Sequence, residues 1–131
     1  MGAESSIAEE IDFGLDGLVP AAVTDWPTGR LLVLCYLNEE ALRLTLESGL
    51  VHLYRRSQGR VQKKGVESGH VQRVREIRLN CDGNSLELRV DQEVAACARG
   101  YHSCYYRRWN RDEQRWEIVD ERIFDPNQVY T

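Results

Sequence analysis

The chain has 131 residues, 42% apolar and 29% charged, with three prolines, four cysteines and a net charge of −4. These totals suit one globular domain, residues 1–131, that buries its core without disulfides or a structural metal, and they exclude a disordered, collagenous or disulfide-stapled chain. Met1-Gly2-Ala3-Glu4-Ser5-Ser6 has no basic segment followed by an apolar run, and no stretch approaches transmembrane length, so a cytoplasmic protein with no membrane partner is expected.

In chain order, residues 1–11 are acidic and peripheral. Leu18 to Val23 reads as a short strand in which Pro20 marks an edge or a strand start. Trp26-Pro27-Thr28-Gly29 has turn composition, and Arg30 to Leu37 is a nearly unbroken apolar run suited to a strand covered on both faces. Cys35 within it is expected to be a small buried hydrophobe. Asn38 is placed to cap a helix that opens with Glu39 and Glu40 and closes at Gly49, burying Ala41, Leu42, Thr45 and Leu46 on one face.

Val51 to Tyr54 is a further strand, followed by a turn at Ser57-Gln58-Gly59-Arg60 and a polar surface loop from Lys63 to His70. Between Arg55 and Arg78 eight Lys or Arg stand against Glu67 and Glu76. So local a basic stretch suggests a small anionic ligand such as a phosphate rather than nucleic acid, with a solvated strand face as the alternative. Val74 to Cys81 and Leu86 to Val90 alternate around Asp82-Gly83-Asn84, which predicts a hairpin with Cys81 at the mouth of its turn. Ala95 to Cys104 is turn-like. Cys104 to Trp109 and Arg115 to Val119 form a second predicted hairpin, and residues 122–131 are peripheral.

Without a secretory signal, the cysteines are expected to be buried thiols, ligands or nucleophiles rather than disulfides. Cys81, Cys97 and Cys104 lack the close pairing of zinc ribbons. Three ligands would leave a position for water, as catalytic zinc sites do, while unrelated buried cysteines are the alternative.

Several motifs carry a resemblance: Gly17-Leu18-Val19-Pro20-Ala21, Leu37-Asn38-Glu39-Glu40-Ala41-Leu42, Lys64-Gly65, Ser68-Gly69-His70-Val71-Gln72, Cys81-Asp82-Gly83, Ala96-Cys97 and Ser103-Cys104. From about Asp12 to Trp109 the chain resembles the phosphoribosyl-AMP cyclohydrolases of histidine biosynthesis. The resemblance implies a compact α+β fold, a mixed or antiparallel sheet with one main helix, in an intertwined homodimer. It also implies one zinc per subunit at the dimer interface, held by Cys81 of one chain and Cys97 and Cys104 of the other. Zinc-activated water would attack carbon 6 of an adenine ring. Arg56, Lys64, Ser68, Gly69 and Asp82 would contact the substrate, with Lys64, His70 and His102 as catalytic candidates; an ordinary surface histidine is the alternative for each histidine.

The chain also departs from the family pattern. The family's D-C-D-x-D, which holds magnesium, reads Asn80, Cys81, Asp82, Gly83, Asn84 here, so that site is expected to be lost. W-x-K-G-E-x-S-G has Gln62 and Val66 in place of its aromatic and acid, W-S-R-S-R is Tyr54-Arg55-Arg56-Ser57-Gln58, and the histidine after Cys97 is Ala98. These changes lead to the expectation of a zinc hydrolase acting on an amidine-like carbon of an altered nucleotide or other nitrogen heterocycle. The alternatives are the parent phosphoribosyl-AMP reaction and a non-catalytic zinc-stapled dimer that binds a nucleotide or a partner.

Overall fold

In the computed structural model, residues 7–65 and 68–129 are described. The expectations for residues 1–6, Val66, Glu67 and residues 130–131 lie outside them. Strands β1 (Val19–Asp25), β2 (Leu31–Leu37), β5 (Gln72–Leu79) and β6 (Leu86–Gln92) form one sheet in the order β2-β1-β6-β5. β1 runs antiparallel to β2 and parallel to β6, and β5 is antiparallel to β6. With helix α1 (Glu39–Ser48) on this mixed sheet, the fold is α+β.

Val19, Ala21 and Val23 of β1 and Leu86, Leu88 and Val90 of β6 point into the core, as their alternation predicts. Pro20 lies at a strand start and not at a sheet edge: β1 is internal, but its ladder with β6 begins only at Ala21, so the missing amide donor falls outside that ladder. The edge is β2. Its apolar run was expected to be covered on both faces, yet Leu34 is 52% exposed. The register passes from Val23↔Val33 to Thr24↔Leu31, which makes Leu32 a bulge residue that turns fully into the core.

Helix α1 follows its sequence signals. Asn38 Oδ1 accepts from the Ala41 amide at 2.8 Å, and Gly49, at φ 75°, donates its amide to Thr45 O at 2.9 Å. Ala41, Leu42 and Thr45 are buried, and Thr45 Oγ1 also accepts from the His52 amide at 2.9 Å. The helix is thereby tied to β3 (His52–Arg55), and truncating Leu42 to Ala would cost roughly 2–5 kcal/mol.

Strand β4 (Arg60–Lys63) was not expected; the sequence reading placed a turn and then a surface loop there. It pairs with β3 in the register His52↔Lys63, Leu53↔Gln62. Backbone pairing and the Arg55 Nε bond to Gln62 Oε1, 2.7 Å, hold it, so a polar strand with one apolar residue gives no hydrophobic signal. The β5–β6 hairpin forms as expected. Arg73 pairs with Glu93, Arg75 with Asp91 at 2.6 Å and Arg78 with Glu76 at 2.6 Å. For these three arginines the solvated strand face is the correct reading.

The second hairpin, β7 (Arg107–Asn110) with β8 (Arg115–Ile118), starts later than expected. Cys104 is drawn off it, because its amide donates to Leu32 O at 2.7 Å. Trp109 and Trp116 meet edge to face with centroids 5.5 Å apart. A short helix α2 (Pro126–Val129) follows, and no helix among the described residues is long and apolar enough to cross a membrane.

Candidate metal and nucleotide site

The loop between β6 and β7 brings two cysteines together. The Ala96 amide donates to His102 O (3.1 Å), Cys97 to Tyr101 O (3.2 Å) and Gly100 to Cys97 O (3.1 Å), folding residues 96–102 back on themselves. Gly100 has φ 103°, and a Cβ there would lie 2.5 Å from Phe124 O, so only glycine allows the chain after β8 to pack against the loop. Behind the loop Tyr101 and Tyr106 stack with centroids 3.7 Å apart, in one buried cluster with Cys97 and Cys104.

Burial pushes the Cys104 thiol up to about 11; Lys64 pulls it down, while Cys97, which hydrogen-bonds it, adds to the rise. The Arg99 amide donates to Cys97 Sγ at 3.4 Å. Lys64 Nζ donates to Ala96 O at 2.7 Å, and its pKa is lowered mainly by burial, against the pull of Cys104. Two adjacent thiols, one accepting a backbone amide, beside a cation that favours their ionised forms, make a donor set that fits zinc. Two ligands do not complete a site, and among the described residues no three His, Cys, Asp or Glu side chains converge on one point.

Cys81 is exposed at the far end of the β5–β6 hairpin. The other end, at Gln72 and Gln92, touches the cysteine loop. Gln72 and Cys81 are nine positions apart along that hairpin, about 30 Å at 3.3 Å per residue, so Cys81 stands at the opposite end from the contact with the cysteine loop. Around it, Asn80 Nδ2 donates to Asn84 Oδ1 at 2.8 Å, and Asn80 Oδ1 accepts the Asn84 and Ser85 amides at 2.9 Å each. The two asparagines close the turn on themselves, with Asp82 exposed beside them.

A polar cleft adjoins the cysteine loop. Arg55, Lys63, Lys64, Ser68, His70 and Ala98 line it, with Gln58 and Gln62. Gly65 and Gly69 shape its rim: the Gly69 amide donates to Gly65 O at 2.8 Å, and Ser68 Oγ accepts the His70 amide at 3.1 Å. His70 is held edge-on against Phe124, with centroids 4.8 Å apart. Arg55, Lys63 and Lys64 thus fit the anion-site reading of the basic stretch that Arg73, Arg75 and Arg78 do not.

Of the predicted residues, the cleft brings together Lys64, Ser68 and His70, with Gly69 in the loop between the last two, but not Arg56, Asp82 or His102. Arg56 lies over the Tyr36 ring (4.9 Å) in a neighbouring cleft that shares Arg55 and Lys64. His102 opens on a separate depression with Thr28, Arg30 and Asp120. Cys35 is buried in the core as expected, and burial pushes its thiol up to about 12. Beyond counting Arg55 in the basic stretch, sequence reasoning gave no site role to Arg55, Gln58 or Gln62; Arg55 ends β3, Gln58 lies in the turn after it and Gln62 in β4.

A family profile described as phosphoribosyl-AMP cyclohydrolase matches residues 33–106. Relatives carrying that name include one from Chlorobaculum tepidum, 42% identical over 97% of this chain and 92% of the relative. Another, from Desulforapulum autotrophicum, is 46% identical over 92% of this chain and 98% of its own, and one from Methanothrix thermoacetophila is 45% identical over 86% and 89%. The match spans the sheet, the helix, the polar cleft and the cysteine loop together: the chain belongs to the phosphoribosyl-AMP cyclohydrolase family.

Proposed function

We propose that the protein is a phosphoribosyl-AMP cyclohydrolase, the reading first set second to a hydrolase with altered substrate. The observation that carries it is identity of 42–46% sustained over most of the chain with relatives of that name. The departures at Asn80, Asn84 and Ala98 lie within this general similarity and do not by themselves argue for another substrate.

Cys97 and Cys104 of one protomer, completed by Cys81 of a second copy, would hold zinc. When bound, zinc would supply the Lewis acid that lowers the pKa of water toward neutrality. The chain's own residues divide the remaining work. Lys63 and Lys64 offer charge to a phosphate, Ser68 a hydroxyl, and Arg56 a second cationic contact beyond the Lys64 wall. Gly69 lets the backbone approach the ligand, and Asp82 would enter from the second copy beside Cys81. His70 is the side chain placed to move a proton, since Ala98 cannot and His102 faces elsewhere.

The test is turnover with metal content: protein purified without added metal is assayed for zinc per chain and for ring opening of phosphoribosyl-AMP by ultraviolet absorbance, with and without magnesium. Brisk turnover is expected. Zinc without turnover would favour the stapled binding dimer, and absence of zinc would sink the metal reading. Sharing between chains has its own test. Cys81→Ala and Cys104→Ala should each lose zinc, and mixing them after unfolding should restore about a quarter of the wild-type content, because half the dimers are mixed and each has one intact site of two.

A further inference from the structure

We propose that Gln72 and Gln92 are positioning residues that hold the Cys97–Cys104 loop in its ligand-bearing shape, an inference that rests on the zinc reading above. The two are cross-strand partners at the end of the β5–β6 hairpin remote from Cys81. Gln92 Nε2 donates to His102 O at 2.9 Å and lies 3.3 Å from His102 Nδ1, which accepts its second hydrogen in the tautomer protonated at Nε2. His102 O is also the acceptor for the Ala96 amide, and this single carbonyl therefore ties β6 to both arms of the loop.

The orientation of both amides follows from that carbonyl. It takes only a donor, which turns Gln92 Nε2 to the loop and Gln92 Oε1 toward Gln72. Gln72 then presents Nε2, bonded at 2.8 Å, and its own Oε1 is left over. Gln72 is fully buried, and among the described residues its Oε1 is the one buried side-chain oxygen or nitrogen with no partner. A core position built for packing alone would hold an apolar side chain without this penalty. What the amide pair does that leucine cannot is aim a donor at His102 O, between the two cysteines.

The experiment compares wild type, the Gln72→Leu/Gln92→Leu double variant and Gln92→Glu as full-length protein. Zinc affinity is read by competition with a chromophoric chelator, and the melting temperature is read on metal-free protein. The double variant removes both partners and leaves no orphan, so its metal-free melting temperature should match or exceed wild type while zinc affinity falls tenfold to a hundredfold. Gln92→Glu keeps the shape and the acceptor for Gln72 but turns a carboxylate oxygen toward His102 O, and should lose affinity likewise. Wild-type affinity in a folded variant overturns the proposal, as does failure of both variants to fold, which would assign the pair to core stability. A wild-type protein that takes up no zinc overturns the metal reading itself and this inference with it.

Discussion

Gly65 is where the cleft's shape is most exposed to a single atom. It has φ 85°, and a Cβ there would lie 2.6 Å from both His70 C and His70 O and 2.8 Å from Val71 N. The obstruction is backbone, so no side-chain rotation relieves it. In Gly65→Ala the left-handed conformation costs about 1–2 kcal/mol. Separating the strands of the loop forfeits the Gly69 amide bond to Gly65 O, worth about 1 kcal/mol. A loss of about 2–3 kcal/mol corresponds to a drop of roughly 10 °C in melting temperature for a chain of this length. Gly69→Ala is the control: its φ is 77°, but nothing lies within 4 Å of the added carbon, so it should lose only the conformational part, about 6 °C. Thermal denaturation of the two variants separates close approach from backbone strain, and Ser68 and His70 should move with the loop, raising KM in Gly65→Ala more than in Gly69→Ala. Equal melting temperatures would refute the reasoning, because the contact with His70 would then carry no energy.

Four further outcomes are expected. Asn80→Asp/Asn84→Asp replaces the 2.8 Å amide contact by two facing carboxylates, so the variant should melt a few degrees lower without magnesium and recover with it; titration calorimetry that detects no magnesium binding would refute this. Cys35→Ala should retain zinc, whereas Cys97→Ala should not, as metal analysis of the purified proteins will show. Because the folded chain holds the Cys35 proton up to about pH 12 against a reference value of 9.0, its contribution is complete below pH 9 and is lost as pH rises toward 12; by about pH 10.5 wild type should have lost roughly 2 kcal/mol more than Cys35→Ala in urea denaturation. His70→Asn should lower kcat a hundredfold or more while His102→Asn leaves it nearly unchanged, and the reverse order in steady-state kinetics would move the proton-transfer role to the second depression.

What the sequence made legible was local. Asn38, the two glutamates and Gly49 act within one helix, and Asn80-Cys81-Asp82-Gly83-Asn84 acts within one turn, so residue type at short range was enough to place them. Strand β4 escaped because its pairing partner lies across a turn and its side chains carry almost no apolar pattern. The error over β2 has the same origin: an apolar run does not reveal whether the neighbouring strand exists, and here the sheet ends at β2.

The candidate site divides along that line. Cysteine type and spacing pointed to a metal, but the bonds that give the loop its shape join Lys64 to Ala96 across 32 positions, Ser103 to Leu31 across 72 and Gln92 to His102 across 10. No periodicity reports such contacts. A buried glutamine in a strand reads simply as a break in alternation, and only its partners reveal which group it aims and where. Cys81 stands one step further removed, since it lies at the opposite end of the β5–β6 hairpin from the contact with the cysteine loop, and the proposed zinc site calls for a second copy to supply it. The candidate ligands and cleft residues are therefore easier to find in the sequence than the bonds that hold them, and the mixing of Cys81→Ala with Cys104→Ala tests the proposed sharing of a site between chains.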